Sequence, residues 1–284
     1  MAKSSKVILI KANQSWLDFD LHEIWNYKDL LYLLVRRDFV TSYKQTILGP
    51  FWVVFQALVG SAVFSVVFSN IAGLSTDGLP PFLFYLCGNL AWQYFASVLG
   101  MSSNTLQANL GIFSKVYFPR LIPPIGQSIS LLLNFFIQFI VLFIAVYIFK
   151  FQVPTTHVGP LSTIFILPLL IFQLAALGLG VGFIISSISV KYRDLSRLAG
   201  LLTQFIMYAS PVIYPISEIP EKYQALIMWN PLVFIVESFR YLILGQASAC
   251  DLEFAVPSII STVFIISLGL ICYNKTQRSY VDFA

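Results

Sequence analysis

Charged side chains are scarce in this 284-residue sequence: Asp, Glu, Lys and Arg together make up 11%, against roughly 25% in an ordinary soluble domain. So few charges cannot clothe a water-facing surface, which excludes a soluble enzyme. Cysteine is scarce as well, and Cys87, Cys250 and Cys272 are odd in number and lack CxxC spacing, so neither a disulfide framework nor a metal site is expected. Histidine occurs twice, as His22 and His157. The short apolar run Val7 to Ile10 is too brief for the core of a signal peptide, and no cleavage is expected there. In place of charge there is 58% hydrophobic residues, 26 of the side chains being Phe. That content is too apolar for a disordered or collagen-like chain, and it implies helices packed within a bilayer. The net charge of +4 is spread between apolar runs with no basic face, so nucleic acid is not an expected partner.

Stretches free of Asp, Glu, Lys and Arg predict an all-α integral membrane protein with six spans, at about 50–72, 81–107, 121–149, 161–188, 198–214 and 255–273. Orientation follows from Lys and Arg in the connections. With the N-terminus inside, 14 of the 17 basic residues are cytoplasmic, leaving only Lys150, Lys222 and Arg240 outside. Both termini are then cytoplasmic. The region 215–250 holds the apolar segment 224–244, split by Asn230-Pro231 and carrying Glu237 and Arg240. Proline removes a backbone donor and disfavours helix in the residue before it, so two short helices are expected rather than one crossing. Glu237 and Arg240 stand at i,i+3 and can pair. A full crossing here would put Lys275 and Arg278 outside, so an external re-entrant hairpin is preferred over a seventh span.

The chain divides into a cytoplasmic segment, 1–47, and a six-span transmembrane domain, 48–284. Within the first, LHEIWNYKDLLYLLVRRDF alternates apolar and charged residues as an amphipathic helix along the cytoplasmic interface does. It is either a plain anchor or part of a gate.

Transport coupled to ions needs buried ionisable groups, and the six predicted spans contain no Asp, Glu, Lys or Arg. The phosphate loop GxxxxGK[ST] is missing too. The run Gly178-Leu179-Gly180-Val181-Gly182 lies in an apolar span with no preceding strand, and reads as close helix packing through Gly178 and Gly182 rather than as a nucleotide loop. No paired acids or His clusters suggest catalysis. Energy on a separate subunit is the simplest account, and two short cytoplasmic loops, NLGIFSKVYFPRLIPP and SVKYRDLSRL, are the candidate docking surfaces.

Several strings, in order, carry a resemblance over nearly the whole chain: LHEIWNYKDL at 21–30, RRDF, LGPFW at 48–52, KVYFPR at 115–120, KYRDL at 191–195, SPVIYPISEIPEKY at 210–223, NPLVFIVESFRYLILG at 230–245 and a basic tail ending YVDFA. The chain resembles the membrane permease subunits of ABC transporters that export polysaccharides, the O-antigen, capsule and teichoic-acid export family. The resemblance implies a homodimer bound to two copies of a cytoplasmic ABC ATPase, which would hold ATP and Mg, with no cofactor on this chain. It implies a bacterial inner-membrane, multi-pass location and a polyprenyl-diphosphate-linked glycan as substrate. The rival reading is an ABC-type permease for a drug, haem or lipid.

By the same resemblance, Phe118, Pro119 and Arg120 are the coupling element toward the ATPase, with Tyr192, Arg193 and Asp194 as a second contact; the bland alternatives are a helix start, a topology signal and a solvated loop. Arg36, Arg37 and Lys44 stand where a lipid diphosphate would arrive, and guanidinium forks suit phosphate, although such residues also serve as topology signals. Phe51, Trp52, Phe55, Phe64, Phe68 and Tyr208 are candidate rings of a glycan channel, since the C–H faces of sugars stack on aromatics; ordinary packing or interface anchoring is the alternative. The stripe Phe136, Ile140, Phe143, Tyr147 faces either lipid or another helix. No metal site is expected.

Overall fold

The computed structural model describes residues 21–44, 49–113, 118–152, 165–192, 194–245 and 252–279, and every regular element among them is helical. Helices α1 (Leu21–Asn26) and α2 (Lys28–Lys44) come first. Gly49, at φ 44°, then turns the chain into α3 (Pro50–Phe64), whose proline occupies a first-turn position that needs no backbone donor. α3 runs on as a π-helical stretch, Ser65–Ile71. There follow α4 (Pro81–Ser103), two single turns α5 (Thr105–Ala108) and α6 (Leu110–Phe113), then α7 (Ile122–Gln152), α8 (Leu167–Lys191), α9 (Leu195–Tyr208), α10 (Glu221–Met228), α11 (Pro231–Leu244) and α12 (Leu252–Ser279).

Five stretches are long and apolar enough to cross a membrane: Pro50–Ile71, Pro81–Ser103, Ile122–Lys150, Leu167–Lys191 and Phe254–Gln277. They match the first, second, third, fourth and sixth predicted spans. The predicted span 198–214 differs. Its helix, α9, starts earlier and stops at Tyr208 after 14 residues, about 21 Å at 1.5 Å per residue. Pro211 explains the stop, because it supplies no N–H and disfavours helix at Ser210. The second predicted span also ends early, at Ser103, where the Asn104 amide folds back onto the carbonyl of Gly100 at 3.2 Å.

The bundle has two distinct ends. At one, the Gln107 amide donates to the carbonyl of Ser189 at 2.9 Å, and the Tyr273 hydroxyl donates to the carbonyl of Arg120 at 3.0 Å. This joins α5, just past α4, to the end of α8, and the end of α12 to the start of α7. At the other, Phe82 stacks on Phe149 at 6.0 Å and Ser217 donates to Asp77 at 2.7 Å. The loop after the first span thus meets the segment after α9.

α8 is held from both sides by glycine contacts. A Cβ on Gly178 would lie 2.9 Å from Val98 of α4, and one on Gly182 would lie 2.7 Å from the Cβ of Ser102. The close approach expected of Gly178 and Gly182 is thus made to α4. Gly180 faces the opposite way, where an added Cβ would fall 2.9 Å from the Cα of Ile266 in α12. Polar bonds supplement this packing: Gln173 of α8 donates to the hydroxyls of Ser258 and Thr262 at 2.8 and 3.0 Å, and Ser258 donates onward to the carbonyl of Pro231 at 2.9 Å. Gln173→Leu is expected to lower stability by about 1 kcal/mol in a thermal melt in lipid nanodiscs. The loss stays small because both hydroxyls keep carbonyl acceptors of their own.

The segment after α9 breaks at Asn230-Pro231, as the sequence predicts. Asn230 caps α11, accepting from the N–H of Leu232 at 3.1 Å while donating to the carbonyl of Ala209 at 3.0 Å. α11 is buried along most of its length. The expected pair is made: Arg240 donates to Glu237 at 2.6 Å with both side chains almost fully enclosed. Arg240 also donates to the carbonyl of Val212 at 3.1 Å and lies 3.6 Å from the ring centroid of Phe84.

Candidate functional site

The candidate docking residues gather at the end of the bundle that joins α5 to α8 and α12 to α7. Phe118 and Pro119 are half-buried, and the Phe118 ring lies 5.6 Å from that of Phe113. Arg120 is turned inward: its guanidinium lies 5.7 Å from the Phe113 ring and donates to the carbonyl of Gln277. Together with the Tyr273 bond, this clamps the end of α12 to the start of α7. Tyr192 is exposed in an extended conformation that terminates α8, with the Lys191 ammonium 5.4 Å from its ring. Asp194 is exposed at the N-terminus of α9, where its carbonyl accepts from Arg197 N–H at 3.1 Å. Arg193 lies outside the described residues.

Among the candidate headgroup residues, Arg36 and Lys44 are exposed. Arg37 instead donates twice to one oxygen of Asp38, at 3.0 and 2.8 Å. Its charge is thereby matched within α2 although Arg37 is exposed as well, whereas Arg36 and Lys44 form no ion pair among the described residues. The apolar side of α2 packs on α7 at Gly126, where a Cβ would fall 3.4 Å from Leu31 and 3.6 Å from Leu34. Tyr32, Leu33, Phe39 and Val40 remain exposed. A cleft of about 230 Å³ lies between α2, α7 and Met101 of α4. At its rim the Tyr43 hydroxyl donates to Asn134. Burial pushes the Tyr43 phenol above its ordinary range, so it remains a protonated donor there.

The aromatic candidates divide. Phe51, Trp52, Phe55 and Tyr208 are exposed, and Phe55 stacks against Phe51 at 6.4 Å and Trp52 at 5.7 Å. Phe64 and Phe68 are half-buried and converge on Tyr85 of α4, at 6.2 and 6.3 Å. They pack within the bundle. The stripe Phe136, Ile140, Phe143, Tyr147 is exposed along α7. Among the described residues no group of three or more His, Cys, Asp or Glu is placed to hold a metal.

Sequence reasoning passed over the uncharged polar residues inside the spans. Gln127, Ser130, Asn134 and Gln138 recur every three or four residues on α7, and all are half-buried. That spacing was the available signal, since it sets four polar side chains on one face of a lipid-length helix.

The family described as "ABC-2 type transporter" matches residues 29–244. The O-antigen export system permease protein RfbA of Klebsiella pneumoniae is 27% identical over 256 residues, covering 89% of this chain and 94% of that protein. The O-antigen export system permease protein RfbA of Myxococcus xanthus is 27% identical over 222 residues, 78% of this chain and 82% of its own. The polysialic acid transport protein KpsM of Escherichia coli is 22% identical over 248 residues, 87% and 93%.

Proposed function

Because the chain belongs to the ABC-2 type transporter family, we propose that it is the membrane permease of an ATP-driven exporter that moves a lipid-linked polysaccharide outward across the bacterial inner membrane. The observation that carries this reading is its similarity, along almost their entire lengths, to permeases named for O-antigen and polysialic acid transport. The permease works as a homodimer with two copies of a cytoplasmic ABC ATPase, which binds ATP and Mg and performs the hydrolysis.

Six crossings with both termini inside fit the geometry. The basic residues that follow α8 and those that close α12 belong on the cytoplasmic face by the positive-inside rule, so the chain crosses twice between them. α12 makes one crossing. The other is assigned to α9 and the residues that follow it, a route supported by the Ser217–Asp77 bond at the opposite end. α10 and α11 then form the external re-entrant hairpin, and 1–47 is the cytoplasmic interface segment of the permease domain 48–284.

Phe118, Pro119, Tyr192, Arg193 and Asp194 meet the ATPase, and Arg120 positions that surface by holding α12 to α7. Arg36 and Lys44 receive the diphosphate of the carrier lipid, while Arg37 acts once it is freed from Asp38. Phe51, Trp52, Phe55 and Tyr208 offer rings to the glycan; Phe64 and Phe68 would join them only after leaving Tyr85. Deleting the chain is expected to remove polysaccharide from the cell surface and to accumulate its lipid-linked form inside, read by mass spectrometry of extracted lipids. Unchanged surface polysaccharide would overturn the reading. Phe118→Ala is expected to lose ATPase on affinity purification while its thermal melt stays at the wild-type value; full retention would remove Phe118 from the contact.

A further inference from the structure

Next to the cleft between α2 and α7 lies a second cavity, of about 100 Å³, whose polar lining comes from three helices: Gln56 of α3, Gln93 and Ser97 of α4, and Asn134 and Gln138 of α7. The two cavities share Leu131 and Asn134, so they form one seam. It starts beside the interface helix and follows α7 from Gln127 to Gln138, a rise of about 16 Å.

Polar side chains at this depth are costly unless something satisfies them. Among the described residues, none hydrogen-bonds the amides of Gln56, Gln93 or Gln138. The Gln127 side-chain oxygen, at the lower cavity, is fully buried and has no partner among them either. Gln93 is exposed although it belongs to the most deeply buried of the five candidate spans. Gln56, Gln93 and Gln138 thus present both donors and acceptors to one groove, and Gln127 lines its continuation beside α2.

We propose that this seam is the stretch of wall that hydrogen-bonds the sugar hydroxyls of the passing glycan. The inference rests on the exporter reading and names a surface for it. Amides are neutral and amphoteric, as sugar hydroxyls are, so each ring can exchange one partner for the next without leaving a group unpaired. A diphosphate headgroup would need cations, whereas among the described residues the one charged side chain lining either cavity is that of Asp38, an anion. A second copy of the chain is a poorer occupant, because the amides line a concavity rather than a protruding face.

The test uses the full exporter in native membranes, with Gln93→Cys or Gln138→Cys introduced singly and a small hydrophilic thiol reagent as probe. Buried Cys87 and the other native cysteines set the background in the wild-type chain. Membranes are compared from cells that make the glycan, with export stalled by a hydrolysis-deficient ATPase, and from cells blocked at its first glycosyl transfer. The proposal expects labelling in the empty exporter and loss of labelling in the loaded one. Labelling that is equal in both would make the seam a water crevice off the path and overturn the proposal. Absence of labelling in both would mean that lipid or a second copy fills it, with the same consequence. Gln56→Cys replaces any variant that does not assemble. Surface polysaccharide in the deletion strain is read separately, so failure of the exporter reading is distinguishable from failure of the seam.

Discussion

Arg240→Ala is expected to detach α11 from the bundle and to lower stability by about 3–5 kcal/mol, the range for breaking a buried ion pair by removing one partner. The loss exceeds that of an ordinary contact because Glu237, also almost fully enclosed, would remain without its cation. Arg240 further satisfies the carbonyl of Val212 and covers Phe84, so it binds the turn after α9 and the start of α4 to the same helix. Lysine cannot replace it: a single ammonium has no fork with which to reach Glu237 and the Val212 carbonyl together. Gly88 leaves room for the guanidinium, since a Cβ there would fall 2.9 Å from Arg240 Nη2 and 3.2 Å from the Val212 oxygen. Melting in nanodiscs should therefore show Arg240→Ala and Arg240→Lys both destabilised. The double variant Glu237→Leu, Arg240→Met should recover most of the loss, because it leaves no buried charge. A double variant as unstable as Arg240→Ala would show that the pair is not what holds α11.

Those two residues also show what one-dimensional reasoning can reach. Glu237 and Arg240 are three apart, Asn230 precedes Pro231, and Gly178 and Gly182 are four apart; in each case a local rule sufficed, and the structure has the pair, the break and the close approach. The five long apolar stretches were legible for the same reason, because the bilayer imposes one length and one composition on any helix that crosses it. The helix of the fifth predicted span is shorter than its apolar stretch, ending at Tyr208 before Pro211. Hydrophobicity continues through Val212 and Ile213, both buried, and so masks the loss of helix.

The candidate site was legible by residue type but not by direction. Arg120 was placed at the cytoplasmic surface, yet its bond to Gln277 joins residues 157 positions apart in the chain, a distance at which no pattern in a single sequence operates. Arg37 was read as a candidate for the lipid diphosphate, whereas it pairs with its immediate neighbour Asp38. Phe64 and Phe68 were seen to share a face, but only the position of Tyr85 decides what that face meets. The amides of the seam escaped because they carry no charge, although an amide without hydrogen bonds is also costly in lipid.

The second large effect is expected at the contact between α8 and α12. A Cβ on Gly269 would run into the carbonyl oxygen of Gly180 and lie 2.9 Å from its Cα. Both obstacles are backbone, which cannot rotate away as a side chain can, so α12 must move off α8. Gly269→Ala is expected to cost about 1–3 kcal/mol by overpacking, and Gly269→Leu more. The damage should extend to function. α8 is seated against α4 through Gly178 and Gly182, and it ends at Tyr192, one of the proposed contacts with the ATPase. α12 ends at the clamp made by Arg120 and Tyr273. Separating the two helices therefore spreads the docking surface even in protein that inserts normally, and export should fall with Gly269→Leu while the chain remains in the membrane fraction. Gly200→Ala supplies the contrast, because an added Cβ there meets nothing within 4 Å. Removing a helical glycine at such a position should leave stability unchanged or raise it by about 0.4–1 kcal/mol. Opposite signs for these two substitutions would locate the cost in the α8–α12 contact; a wild-type melt for Gly269→Ala would mean that the helices are further apart than the structure has them.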